Sequence, residues 1–170
     1  YINMRNSTVF GFSDNLRLDL VVNDFLFNAK FKKKIKILSD GTPWRPLVHL
    51  KDLISITNFF IENYNFINNN TINIGFNDMN LQVRDIAKVI SDFYGAKLEI
   101  LAENPSDKRS YKVSFKNINQ ELKSKSFTNI FDACVEFDNK ILSNKLTENS
   151  FYDSDSIRIK KLKNIYEKIF

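Results

Sequence analysis

Glycine is scarce in this chain: four in 170 residues, at positions 11, 41, 75 and 95. No G-x-G-x-x-G or G-x-x-G-x-x-G can be written from those positions. No glycine-rich turn therefore presents a helix amino terminus to a pyrophosphate in the usual way. Cysteine is represented by Cys134 alone, which excludes an intramolecular disulfide and makes a reducing compartment the simpler reading. His49 is the sole histidine. With no second histidine and no neighbouring cysteine, a metal role for it is set aside, and on an apolar strand it reads as a core histidine. No apolar run approaches the roughly 20 residues of a membrane span, and Tyr1-Ile2-Asn3-Met4-Arg5 is no signal peptide. The expectation is a soluble, cytoplasmic protein with no membrane partner.

What is present is a globular composition. The chain is 43% hydrophobic, with sixteen phenylalanines against one tryptophan, and is long enough to bury the core of one domain. The net charge of +5 permits anionic ligands. It does not demand nucleic acid, because the lysines are not interleaved with an aromatic stacking platform. The basic runs at 30–36 and 158–163 read as solvated faces or contacts with a neighbour. Cys134 falls in an amphipathic helical pattern and reads as a small core hydrophobe.

Strand and helix patterns alternate, which argues for an α/β fold. Ile2 to Phe10 reads as a strand, with Gly11, Ser13, Asp14 and Asn15 as the loop after it. Apolar residues recur at helical spacing from Leu18 to Phe31, and the lysines of 30–36 suit that helix's carboxy terminus. Ile35–Leu38 and Leu47–Leu50 read as short strands. Leu53–Tyr64 reads as a helix whose start is marked by Asp52, and 65–70 as an asparagine-rich loop. Thr71–Gly75 is a strand. Val83–Tyr94 is a helix capped by Asn80 and stopped by Gly95. Lys97–Leu101 and Ser110–Phe115 are extended, with a turn at Pro105-Ser106-Asp107 between them. Helices follow at Asn117–Leu122 and Thr128–Leu142, the latter capped by Thr128. The tail from Asn144 begins polar and ends in a basic amphipathic helix carrying Ile157, Leu162, Ile165 and Ile169.

The most informative stretch is Ser39-Asp40-Gly41-Thr42-Pro43-Trp44-Arg45-Pro46-Leu47-Val48-His49-Leu50-Lys51-Asp52. A turn leads to a lone arginine, then an apolar strand that fixes its position. A guanidinium held there can meet a phosphate or carboxylate with two parallel charge-assisted bonds. The stretch resembles the "GDG-x-x-R-x-x-x-H-V-x-D" segment of extended short-chain dehydrogenases/reductases, the sugar-nucleotide epimerases and dehydratases. Arg5-Asn6-Ser7-Thr8-Val9-Phe10-Gly11 resembles that family's "R-x-x-N-V-Y-G" strand end. The likeness covers most of residues 2–142 and implies the carboxy-terminal part of an NAD(P)-binding Rossmann-like fold with its small substrate-binding α/β subdomain. The family's Tyr-x-x-x-Lys is absent, since none of the six tyrosines has a lysine four places on. The start of the chain in mid-strand also reads as a truncation. On this resemblance, 1–16 is the last strand and loop of a truncated Rossmann domain. Residues 17–143 form the substrate-binding part with returning Rossmann elements, and 144–170 the tail.

The resemblance implies a division of labour. NAD(P) and the catalytic pair belong to a missing amino-terminal Rossmann half, so this chain alone holds no cofactor, carries no catalytic residue and is inactive. Its share is the pocket for a nucleoside-diphosphate sugar, in an enzyme that is a homodimer when intact and serves surface-polysaccharide precursor synthesis. Arg45 then grips the diphosphate. Arg109, in Asp107-Lys108-Arg109-Ser110-Tyr111, resembles the second family arginine, though without the glycine of that family's turn. Thr8 stands where the family carries asparagine and offers one donor fewer. Arg17 and Asn23, with Asp19, open the first helix where the family contacts ligand, and Leu38 matches the position beside the base. Two other readings remain open: a non-catalytic binding module of the same fold, and a basic nucleic-acid-binding domain.

Overall fold

The extended run at the start changes partner after Asn6. In a computed structural model that describes residues 1–13, 16–63, 71–102, 109–121, 127–151 and Tyr166, β1 (Asn3–Asn6) lies parallel to β5 (Thr71–Ile74). β2 (Thr8–Phe10) lies parallel to β4 (Trp44–His49) instead. Ser7 is the joint, and its N–H still donates to Ile74 O at 3.1 Å. The single strand expected over residues 2–10 is thus two strands serving two sheets.

β4 is longer at its start than the apolar run Leu47–Leu50 suggests, because β6 (Asn80–Gln82) pairs antiparallel with its first half. Arg45 consequently lies in a strand opposite Leu81. Pro46 is tolerated there because the ladder to β2 begins only at Leu47, which faces Thr8. A third pair, β3 (Lys34–Ile37) with β7 (Lys97–Ile100), is parallel. Parallel pairs need crossovers, and helices supply them.

The crossover helices are α1 (Val21–Lys32), α2 (Leu50–Glu62) and α3 (Val83–Tyr94). α4 (Lys116–Glu121) and α5 (Ile130–Ser143) follow. α3 behaves as its pattern requires: Val83, Ile86, Ala87 and Ile90 are buried and Gly95 ends it at φ 59°, where no side chain is wanted. α1 begins three residues later than expected, because Arg17 and Asp19 close a turn ahead of it. Lys33 ends it in the left-handed region and donates to Asn28 O.

Three expected caps do other work. α2 is capped by His49, whose Nδ1 accepts from Lys51 N–H. Asp52 sits within the first turn and accepts from both Thr128 N–H and Thr128 Oγ1. α5 is capped by Asn129 in a reciprocal box with Asp132 rather than by Thr128. Asn80, in β6, holds both backbone groups of Val113 instead of starting α3. Each side chain ties two distant segments together.

The core runs between the helices and the short sheets, and Phe10, Leu26, Ile35, Ile72, Ile86, Phe115 and Phe137 are almost wholly buried. The beginning of the tail joins it. A turn of 3-10 helix (Glu148–Phe151) buries Phe151 against Phe27, Phe31 and Phe137. The helix expected further on, with Ile157, Leu162, Ile165 and Ile169, lies outside the described residues, as do the 65–70 loop and the Pro105–Asp107 turn. No helix among the described residues is long and apolar enough to cross a membrane.

Candidate functional site

A cavity of about 450 Å³ opens between α1, β3 and the start of β4. Four of the six candidate residues line it: Thr8 at the head of β2, Leu38 just past β3, Arg45 in β4, and Arg109. Arg45 and Arg109 are 64 positions apart in sequence, and the contact between them is direct. Arg45 Nη1 donates to its neighbour Trp44 O at 2.9 Å and to the carbonyl oxygen of Arg109. Trp44 N–H donates to Ser110 Oγ at 3.1 Å, so the opening of β4 and the 109–111 segment are sewn together twice. Half-exposed Tyr111 closes that side of the cavity, and Lys112 Nζ lies 3.6 Å from the Trp44 ring centroid.

The remaining two candidates are engaged beside the cavity rather than in its lining. Arg17 forks onto Asp19 through Nε (3.1 Å) and Nη2 (2.7 Å). Asn23 is 3% exposed and bridges two backbone segments, accepting from Gly11 N–H and donating to Arg17 O. It holds the loop after β2 against the lead-in to α1.

The cavity's lining is of two chemical kinds. Arg45 and Arg109 supply positive charge from the β4 side. α1 and β3 contribute an apolar wall of Leu20, Val21, Phe25 and Ile37, together with Lys36 and one half-buried acid, Asp24. Burial pushes the Asp24 carboxyl up to about 6, while the Asn28 hydrogen bond (2.8 Å) and the charge of Lys32 oppose the rise. Asp24 was not among the sequence candidates. Its signal was available: Val21, Asp24 and Phe25 share one face of α1, and an acid on an otherwise apolar face calls for a reason.

His49 lies in the core at 1% exposure, edge-on to Phe10, with Nε2 3.2 Å from Glu136 Oε2. Burial holds its pKa below the usual histidine value despite the nearby Glu136. Because Nδ1 accepts from Lys51 N–H, the neutral ring carries its proton on Nε2, facing Glu136. Cys134 is fully buried and its thiol is pushed up to about 12, chiefly by that burial. No group of three His, Cys, Asp or Glu side chains among the described residues is placed to hold a metal.

An α/β fold with this connectivity matches the carboxy-terminal portion of extended short-chain dehydrogenase/reductase structures. Residues 1–75 match the NAD dependent epimerase/dehydratase family. Among solved structures, the UDP-N-acetylglucosamine 4-epimerase of Bacillus cereus is similar at a TM-score of 0.67 and 20% identity, over 82% of this chain and 47% of that one. The UDP-glucuronic acid 4-epimerase of Bacillus cereus, solved with UDP-glucuronic acid and NAD, gives 0.63 and 20%, over 84% and 45%. An NAD-dependent NDP-hexosamine 5,6-dehydratase involved in tunicamycin biosynthesis gives 0.66 and 14%, over 82% and 45%. The chain therefore spans less than half the length of each of these structures. At these identities the likeness is one of fold.

Proposed function

We propose that this chain is the nucleotide-sugar-binding half of an NAD-dependent sugar-nucleotide epimerase or dehydratase, acting in the cytoplasm in surface-polysaccharide precursor synthesis. One observation carries the reading: Thr8, Leu38, Arg45 and Arg109, drawn from four separate stretches of chain, line one cavity. Two guanidinium groups beside an apolar wall suit a ligand with a dianionic diphosphate at one end and a flat base at the other. Similar structures carrying UDP-glucuronic acid and NAD agree with that class of ligand.

NAD(P) belongs, in this reading, to the intact homodimeric enzyme. The residues of this chain do not fit a dinucleotide cradle. Gly11 follows β2 against the His49 ring, Gly41 precedes β4, Gly75 follows β5, and Gly95 ends α3, so none opens a helix. The pure 170-residue chain accordingly gives no NADH and no epimerised product from any nucleotide sugar.

Calorimetric titration of nucleoside diphosphates tests the reading. Arg45→Ala removes charge-assisted bonds of roughly 1.5–3 kcal/mol, about one to two decades of affinity. Arg45→Lys recovers only part, since an ammonium cannot make the planar fork. Equal affinities for wild type and both variants would make Arg45 a structural residue and remove the assignment.

A further inference from the structure

Asp24, one of two acidic residues lining the cavity, has no part in gripping a diphosphate. Asp24, in the first turn of α1, lines the same cavity as the two arginines, on the wall formed with Val21, Phe25 and Ile37. Its Oδ1 accepts from Asn28 Nδ2, and among the described residues no hydrogen bond reaches its Oδ2. The cavity's other carboxylate, Asp19, is occupied by the Arg17 fork. A diphosphate cannot sit beside Asp24 without like-charge repulsion, so the phosphates belong with Arg45 and Arg109. That leaves the flat, uncharged base for the apolar wall, where its edge meets Asp24 and Lys36.

We propose that Asp24 selects the base, favouring guanine, whose edge offers adjacent N–H donors, above cytosine and adenine, whose amino group donates beside a ring-nitrogen acceptor, and these over uracil or thymine. The inference rests on the nucleotide-sugar reading above and names its substrate class. A carboxylate only accepts hydrogen bonds. Guanine presents N1–H and the N2 amino group side by side, and its neighbouring O6 carbonyl is matched by Lys36. Uracil and thymine present one N–H flanked by two carbonyl oxygens, which a carboxylate repels. An asparagine at 24 could donate as well as accept, and would suit uracil better than an aspartate does.

Titration of the full chain with GDP, CDP, ADP and UDP at pH 7.5 tests this, using wild type, Asp24→Asn and Arg45→Ala. Wild type should bind GDP at least about tenfold more tightly than UDP, the discrimination expected of one good two-bond pairing. Asp24→Asn should reduce that ratio to within about threefold, losing affinity for GDP and gaining it for UDP. Arg45→Ala should weaken all four alike and leave the ratio standing. Equal binding of the four by wild type, a preference for UDP, or an unchanged ratio in Asp24→Asn would each overturn the role of Asp24 while leaving the nucleotide pocket intact. Absence of binding by any of the four, or binding indifferent to Arg45→Ala, would overturn the pocket itself and this inference with it.

Discussion

Asp24→Asn should stabilise the protein at neutral pH, and the gain should vanish in acid. Burial raises the carboxyl from 3.8 to about 6, so the folded state disfavours the charged form relative to the unfolded chain. The sign follows. Stability from this group is fully present below pH 3.8 and is lost as pH rises through about 6. A shift of about two units corresponds to about 3 kcal/mol, an upper figure because the side chain keeps some contact with solvent. Asparagine stays neutral throughout and its Oδ1 can still accept from Asn28 Nδ2, so the substitution removes the charge and little else. Urea unfolding followed by fluorescence of the single tryptophan, Trp44, at pH 4, 5, 6 and 7.5 measures the difference directly. Titrations of every other group cancel in that difference. The variant should match wild type near pH 4 and exceed it by about 1–3 kcal/mol at pH 7.5, with m unchanged. A difference independent of pH, or a variant less stable at pH 7.5, would refute the reasoning.

Gly11→Ala should destabilise by roughly 1–3 kcal/mol, because φ is 122° and a Cβ there would lie 2.7 Å from His49 Nε2; a thermal melt indistinguishable from wild type would contradict this. Asp52→Ala should cost about 1–2 kcal/mol by releasing both bonds to Thr128, whereas Asp52→Asn, which keeps an acceptor, should recover part in the same denaturation assay. Cys134 should react with an aromatic disulfide reagent only at the rate of unfolding, since its thiol is buried and its pKa is pushed up to about 12; rapid labelling of the native protein would show otherwise.

The helices were legible where one face alone decides the fold. α3 is the clear case: Val83, Ile86, Ala87 and Ile90 turn inward together and Gly95 stops the helix. Strand ends were not legible, because they depend on partners. Nothing in Trp44-Arg45-Pro46 reveals that β6 will pair with it, so β4 looked three residues too short at its start. Asp52, Asn80 and Thr128 fail as caps for a related reason. A short polar side chain that suits a helix start equally suits a distant backbone group, and composition does not say which it will meet. Among the residues lining the cavity, Arg45 and Arg109 stand in family-like motifs, whereas nothing in the sequence analysis singled out Asp24.

Ser7 explains how these pieces come to share one cavity. Had residues 3–10 formed one strand beside β5, the whole run would have stayed in one sheet with the helices packed over it. Instead the strand partner changes at Ser7 from β5 to β4. Thr8 is thereby carried away from the β1–β5 pair and set beside Leu47 in the sheet that also contains Arg45. Asn23 then bonds the loop that follows β2, at Gly11 N–H, to the turn that precedes α1, at Arg17 O. That bridge fixes the start of α1, whose Asp24 lines the same cavity as Arg45 and Arg109. Asn23 is therefore a positioning residue whose loss should shift the two walls relative to each other. Asn23→Ala should weaken nucleotide binding without touching the ligand, and in proportion to its loss of stability, whereas Arg45→Lys should weaken binding by more than its own shift in the unfolding midpoint accounts for. Both residues moving affinity and midpoint together would mean that Arg45 acts only through the fold.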